Sequence, residues 1–357
     1  MSLSIFVRCV FYLLGSGLNI LFCSLYRELN KNNQLFESHN TSIGDDLLRP
    51  FVEFKNLAES KGHSVSTVGT KIAAALADAI VFIDMPRQSC EVYTYALDSG
   101  IPIYLIALES KAIHPSSFDV SCHAAFKKVF TWSDELVELD DKRYLKINYS
   151  HNIPTSITKR YADKKLLTMI AGNKRVSHKG ELYSVRAKLV KWYEDNHPDS
   201  FDLYGMFWDR YPQTDSRIMN VLINRFGFIG QLMKTNYTSY RGQVERKKPV
   251  LERYRFSICF ENVEGVPGFI TEKIFDCFFA GNVPVYLGAS NVEMYIPPNC
   301  FVDMRKFTSL ADLHLYLSEM SEGEYMRYLN SIEEFLRSSA DQFSIGTFAK
   351  NLLNNIV

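Results

Sequence analysis

The chain has no surplus of charge of either sign, since Lys plus Arg and Asp plus Glu number 40 each among its 357 residues. That balance removes the basic excess of a nucleic-acid binder, and no nucleic-acid partner is expected. Its seven cysteines (Cys9, Cys23, Cys90, Cys122, Cys259, Cys277 and Cys300) never form a C-x-x-C pair. They read as small core residues of a reduced compartment, not as a disulfide frame or a zinc site. The only G-x-G, Gly15-Ser16-Gly17, has Ile20 where a dinucleotide fingerprint needs its third glycine, which argues against a nicotinamide-dependent oxidoreductase. There is no repeat, heptad array or low-complexity tract.

Long hydrophobic runs are also scarce. From Cys9 to Tyr26 there are 18 residues without a charge, close to the lower limit for a membrane span. Gly15, Ser16, Gly17 and Asn19 interrupt the run, so its second half, Leu18 to Leu25, is expected to be the first buried strand of an α/β domain. A cytoplasmic protein follows from that reading; membrane association through an N-terminal signal anchor is the competing one. Three N-x-S/T triplets, at Asn40, Asn148 and Asn236, do not decide the compartment.

What is present is ordinary globular composition, 46% apolar and 22% charged, in a chain long enough for two domains. Short apolar runs alternate with amphipathic stretches, as in parallel sheets flanked by helices. In the first half the strands are Ile20 to Leu25, His63 to Val68, Ala79 to Ile83, Ile103 to Ala107 and Lys127 to Thr131. Helices are expected at Leu47 to Lys61 and Cys90 to Ser99, the latter capped by Gly100. A polar stretch from Asn148 to Asp163 is the boundary candidate. The second half offers strands at Leu166 to Ala171, Phe201 to Tyr204, Phe256 to Phe260, Val283 to Leu287 and Cys300 to Asp303, with helices at Lys179 to Asn196 and Thr271 to Ala280. The expected architecture is α/β, two Rossmann-like domains facing across a cleft: 1–155, 156–335, and a helical tail 336–357.

The segment RYRFSICFENVEGVPGFITEKIFDCFFAGNVPVYLGASN (Arg253 to Asn291) carries the chemistry. A buried strand delivers Glu261 and Asn262 at its C-terminal end, where open α/β sheets bind ligands. A loop with Gly265, Pro267 and Gly268 follows, and its glycines permit positive φ or close backbone approach. Thr271 is a good N-cap for the next helix, which places Glu272 and Lys273 in its first turn. The free N–H groups of that turn and the Lys273 charge suit a diphosphate. A lone T-E-K would be simple capping; the ordered series of strand, FEN, glycine loop, TEK and NVPVYLG is what lifts it.

This series resembles the C-terminal signature of family 10 glycosyltransferases, the α-1,3-fucosyltransferases. The similarity is specific from Arg253 to Phe307, including YIPPNCFVDMRKF. It is weaker at Gly180 to Tyr193, Phe201 to Gly205 and Tyr240 to Phe256, and in the first half it is one of layout. The resemblance implies the GT-B fold, with an acceptor-binding N-terminal domain and a GDP-sugar-binding C-terminal one. It also implies an inverting transfer of L-fucose from GDP-fucose to an acceptor glycan, at a hydroxyl such as O3 of N-acetylglucosamine. By position, Asn262 meets the ribose or sugar, Glu272 the hydroxyls, and Lys273 and Arg186 the diphosphate; Thr271 and Phe269 flank the donor.

Charge develops on the departing β-phosphate, which fixed cations stabilise, and a carboxylate must take the acceptor's proton. Glu109, just after the run Ile101 to Leu108, matches the family's base in placement, with Glu135 and Glu138 as substitutes. Two departures, Val263 after FEN and Phe269 where the family often has Tyr, bear on which GDP-sugar is used. The absence of any D-x-D triplet implies a reaction without a metal or other cofactor. A relative using another GDP-sugar, and a non-catalytic glycan- or nucleotide-binding relative, are the alternatives.

Overall fold

The computed structural model describes residues 17–37, 46–210, 213–214, 216, 221 and 236–357. Two compact units result: the first holds 46–152 and 341–357 with the described N-terminal residues, the second 153–340.

The first unit is built on six parallel strands, β1 (Asn19–Ser24), β2 (Ser64–Thr67), β3 (Ala79–Ile83), β4 (Ile103–Ala107), β5 (Lys128–Thr131) and β6 (Tyr144–Lys146), in the order β2-β1-β3-β4-β5-β6. Because helices cover both faces, the strands are apolar without alternation. In β3, Ala79, Val81 and Ile83 join a cluster with α1 (Arg49–Ser60) and α8 (Ile345–Ile356). Phe82 points the other way, edge-on to Tyr93 of α2 (Glu91–Ser99) at 5.5 Å between centroids. Gly100 ends α2 in the left-handed conformation, φ 67°, as its position predicts. The short α3 (Asp134–Leu139), capped by Ser133, and strand β6 follow from no clear periodicity and were not expected.

In the second unit β7 (Lys165–Ile170), β9 (Phe201–Tyr204), β11 (Tyr254–Phe260), β12 (Val283–Leu287) and β13 (Val302–Asp303) form a parallel sheet ordered β13-β12-β11-β7-β9. A two-residue ladder, β8 (Lys174–Arg175) with β10 (Gln213–Thr214), lies apart. The helices are α4 (Tyr183–Asn196), α5 (Glu272–Phe279), α6 (Leu310–Glu319) and α7 (Glu322–Ser338), the last started by a Ser321/Glu324 capping box. Each expected Rossmann-like unit is therefore present. In each, strand order reverses once, between β1 and β3 and between β7 and β11, and C-terminal strand ends at such a reversal are where ligands bind.

One expectation changes and one holds. The tail does not stand apart from residue 336: α7 runs to Ser338 in the second unit, whereas α8 packs Phe348 against Phe51 of the first, 5.6 Å between centroids. The uncharged N-terminal run enters the sheet as β1, with Ile20 and Phe22 fully buried; Cys9 to Ser16, like Asn40, lies outside the described residues. No helix among the described residues is long and apolar enough to cross a membrane.

Gly281, which leads into β12, has φ 58°, and a Cβ there would stand 1.9 Å from the Thr158 carbonyl oxygen. Both the conformation and the contact demand glycine. Gly281→Ala is expected to cost about 2–4 kcal/mol, measured by urea unfolding; a wild-type midpoint would show that this turn can shift freely.

Candidate functional site

Strand β11 ends in Glu261 and Asn262, and the FEN motif is spent in an unexpected way. Glu261 has no exposed surface. Its Oε1 accepts the Thr271 backbone N–H at 2.8 Å, and both its oxygens accept from the Thr271 hydroxyl, at 3.0 and 2.8 Å. Lys273 Nζ donates to Glu261 Oε2 at 3.1 Å and to Thr271 Oγ1 at 2.9 Å.

Thr271 stands at the N-cap of α5, as its type and place suggest, but its side chain accepts no backbone N–H of the first turn; its hydroxyl is engaged instead with the Glu261 carboxylate and the Lys273 ammonium. Thr271 and Phe269 are each 2% exposed. Glu272 and Lys273 do occupy the first turn, as expected.

Around Lys273 the charges close on themselves. Glu272 Oε1 lies 3.8 Å from Lys273 Nζ and 3.4 Å from Lys247 Nζ, which also holds Asp276 at 2.7 Å. Burial pulls the Lys273 pKa down, but the Glu261 and Glu272 carboxylates outweigh it and hold it above the ordinary lysine value. Lys247, a residue the motif reading did not single out, is held still higher against its burial by Asp276 and Glu272.

Arg186, on α4, is buried to 4% exposure, which rules out a solvated helix charge. Its Nη2 donates to the carbonyls of Phe260 (2.5 Å) and Glu261 (2.6 Å) and to Asn262 Oδ1 (3.3 Å). Burial lowers its pKa, an effect that the neighbouring Tyr183 and Glu261 offset in part. Arg186, Lys247 and Lys273 therefore face Glu261, Glu272 and Asp276, three cations against three carboxylates, at the C-terminal end of β11.

The turn before α4 is stitched to the same loop. Leu182 N–H donates to the Asn262 carbonyl at 3.0 Å, and Glu264 N–H to the Gly180 carbonyl at 2.9 Å. Gly265 and Gly268 take the positive φ the loop requires, 76° and 77°. Beside this seam a cavity of about 330 Å³ opens past the end of β7, lined by Asn173, Lys174, Arg175, Tyr183, Arg210 and Tyr237 among others. Tyr183 also faces the Arg186 guanidinium, 5.0 Å from ring centroid to carbon. Sequence reading passed over Asn173, Lys174 and Arg175; the signal that finds them is the end of the strand beside the order reversal.

In the first unit, Glu109 follows β4 at the matching edge. Tyr26, just past β1, donates its hydroxyl to Glu109 Oε1 at 2.6 Å. Asp84, just past β3, accepts the N–H groups of Leu108 (3.0 Å) and Glu109 (3.1 Å) on one oxygen. The substitutes sit elsewhere: Glu135 is exposed and paired with Lys111 at 3.0 Å, and Glu138 is exposed on α3. Among the described residues no group of three metal-ligating side chains occurs, and the six described cysteines are free thiols.

Two predictions follow from these geometries. Glu261→Gln leaves Lys273 without its closest counter-charge and should cost about 2–4 kcal/mol of stability, again by urea unfolding; an unchanged midpoint would mean the cluster does not hold α5 to β11. Asp84 is 2% exposed, and burial, reinforced by the Glu109 charge, lifts its pKa from 3.8 to about 7 against the pull of its backbone and Ser117 hydrogen bonds. A folded pKa above the unfolded one means that the folded state holds the proton more tightly. Stability is full below the unfolded value and is lost as pH rises through the folded one, here between about pH 4 and 7. Asp84→Asn should flatten that window in a pH series of unfolding free energies.

Residues 214–345 match the model described as glycosyltransferase family 10 (fucosyltransferase) C-term. An α-(1,3)-fucosyltransferase of Helicobacter pylori is 29% identical over 121 residues, 31% of this chain and 25% of that protein. The mouse 4-galactosyl-N-acetylglucosaminide 3-α-L-fucosyltransferase 9 is 37% identical over 91 residues, 24% of this chain and 25% of that one. The chain thus spans about a quarter of the length of the curated relatives it matches. Among solved structures, an α1,3-fucosyltransferase aligns with a TM-score of 0.55 at 13% identity, covering 95% of this chain and 90% of that one. The same enzyme's name is on a structure with GDP-fucose, which aligns at 0.51 with 12% identity over the same shares. At such identities the likeness is one of fold, the GT-B type. The match of residues 214–345, which span the FEN and TEK elements, groups that stretch with the C-terminal part of glycosyltransferase family 10, the fucosyltransferase family.

Proposed function

We propose that the protein is an inverting glycosyltransferase that moves L-fucose from GDP-fucose to a hydroxyl of an acceptor glycan, with O3 of N-acetylglucosamine as the position to test first. The observation that carries this reading is the convergence of Arg186 and Lys273 on the C-terminal end of β11, 3.3 and 3.1 Å from their Asn262 and Glu261 partners. The relatives named for fucosyl transfer and the fucosyltransferase structure with GDP-fucose support the choice of donor.

In the reaction the bond between fucose C1 and the β-phosphate oxygen breaks, and the acceptor oxygen bonds to C1 from the opposite face. Negative charge grows on the departing GDP, where Lys273 and Arg186 stabilise it; being fixed in place beforehand, they cost no reorganisation at that moment. An anion arriving at Lys273 competes with Glu261, whose carboxylate keeps the ammonium aimed and charged until then. Asn262 and Glu272 offer hydrogen bonds to ribose and sugar hydroxyls. The acceptor's proton goes to Glu109. The cations supply the charge that a metal would otherwise bring, so turnover proceeds with a chelator present.

The test is GDP release and glycan product formation from a panel of GDP-sugars, assayed with EDTA. GDP-fucose should be the donor used, and Lys273→Ala should lower kcat at least about 100-fold in protein that unfolding curves show to be folded, its midpoint lowered by the loss of the Glu261 counter-charge. Release from a different GDP-sugar alone would overturn the donor assignment. Wild-type turnover in Lys273→Ala would overturn the placing of the diphosphate.

A further inference from the structure

Glu109 is held far more firmly than a loop acid needs to be. The Leu108–Glu109 peptide is clamped from both sides. Asp84 Oδ1 takes the N–H groups of both residues, and the Leu108 carbonyl accepts from Trp132 Nε1 at 2.8 Å and from the Tyr149 hydroxyl at 2.5 Å. Asp84 is itself in the left-handed region, φ 57°, a conformation that costs a non-glycine residue free energy. Its N–H donates to the Ile106 carbonyl at 2.8 Å, just as Leu25 N–H donates to the Ile83 carbonyl at 3.1 Å. The ends of β1, β3 and β4 are thereby locked in register.

On this pedestal the only side-chain hydrogen bond to Glu109 among the described residues comes from Tyr26, 2.6 Å from Oε1. The Tyr26 ring is 47% exposed, so its phenol reaches the carboxylate from the solvent side of the strand ends. A hydroxyl donating to one oxygen fixes the plane of the carboxylate and leaves Oε2 to receive a proton. A half-exposed Tyr–Glu hydrogen bond is ordinarily worth little. What sets this one apart is that its acceptor's backbone is clamped and follows β4, one strand from the point where the sheet order reverses.

We propose that Tyr26 is a positioning residue for Glu109, orienting its carboxylate and stabilising its charged form so that it takes a proton from the acceptor hydroxyl. This rests on the reading of Glu109 as the base. The charged and titratable groups facing Glu109 are Tyr26 past β1, Asp84 past β3 and His114 in the loop after β4, with Arg87 beside His114 and Lys111 drawn off to Glu135. Burial and the Glu109 charge raise the proton affinity of Asp84, and the Tyr26 hydroxyl is the neutral donor to Glu109.

The experiment is the pH dependence of kcat/KM for fucosyl transfer by the full chain, in wild type, Tyr26→Phe, Glu109→Gln and the double variant. Loss of a donor to a carboxylate raises its proton affinity, so in Tyr26→Phe the acidic limb should move up by about half to one pH unit, with the donor KM unchanged. Glu109→Gln should lose the limb and most of kcat, and adding Tyr26→Phe to it should do nothing more. An acidic limb of Tyr26→Phe that superimposes on wild type, while Glu109→Gln is inactive, overturns the role of Tyr26 alone. Independent losses in the double variant do the same. Full turnover by Glu109→Gln overturns the base assignment, and the proposal with it.

Discussion

A carboxylate with no access to water normally carries a heavy desolvation cost, and Glu261 meets that cost through the contacts it makes. It holds a backbone N–H at the start of α5, a hydroxyl and an ammonium, all from Thr271 and Lys273. Strand β11 and helix α5 are joined by the intervening glycine loop, but Glu261 sets their distance and angle. From that follow the aim of Lys273, the sharing of Glu272 between two lysines, and the site's neutrality before any ligand arrives. Remove the carboxylate and three donors lose their acceptor together, so the motif works as a unit.

The two units arrive at comparable sites by the same topology. Each uses a parallel sheet whose order reverses once, and each gathers its polar groups past the strands beside the reversal. The chemistry then diverges. In the second unit Lys247 and Lys273 pair with Glu261, Glu272 and Asp276, while Arg186 is held by backbone carbonyls at the end of β11. In the first, two acids, Asp84 and Glu109, lie close together with a phenol as their neutral neighbour. Paired opposite charges keep their ionised forms over a wide pH range, whereas burial, reinforced by the Glu109 charge, raises the proton affinity of Asp84. Asp84 thereby makes the first unit pH-sensitive.

Much of this was legible in the residues. Strands buried on both faces are read from unbroken apolar runs, and Ala79–Ile83, Ile103–Ala107, Phe201–Tyr204 and Val283–Leu287 fall where the sequence puts them. Short elements were not legible: β6 has three residues, too few for a period to register. Glu272, Lys273 and Arg186 were singled out by motif, and Thr271 does stand at the N-cap. What local preference does not show is that its N–H and hydroxyl pair with a carboxylate ten residues back, just past β11. Lys247 and Tyr26 were missed for the same reason. Their partners are 29 and 83 residues away, and nothing in the neighbouring sequence marks a pairing made by the fold.

A site that is neutral at rest also constrains how a diphosphate can enter it. An anion approaching β11 gains little from the net field, because the charges of Arg186, Lys247 and Lys273 are cancelled within a few ångströms. Long-range steering falls instead to cations not enclosed in that cluster, and Lys174 and Arg210 line the cavity past β7. At contact range the terms differ. Lys273 donates to Glu261 and to Thr271 Oγ1, and its ammonium can donate a third N–H to a phosphate oxygen while Glu261 keeps Thr271 N–H in place. Selectivity for a group that presents several oxygens at once is then a consequence of the buried carboxylate: a weaker anion cannot draw the lysine away from it.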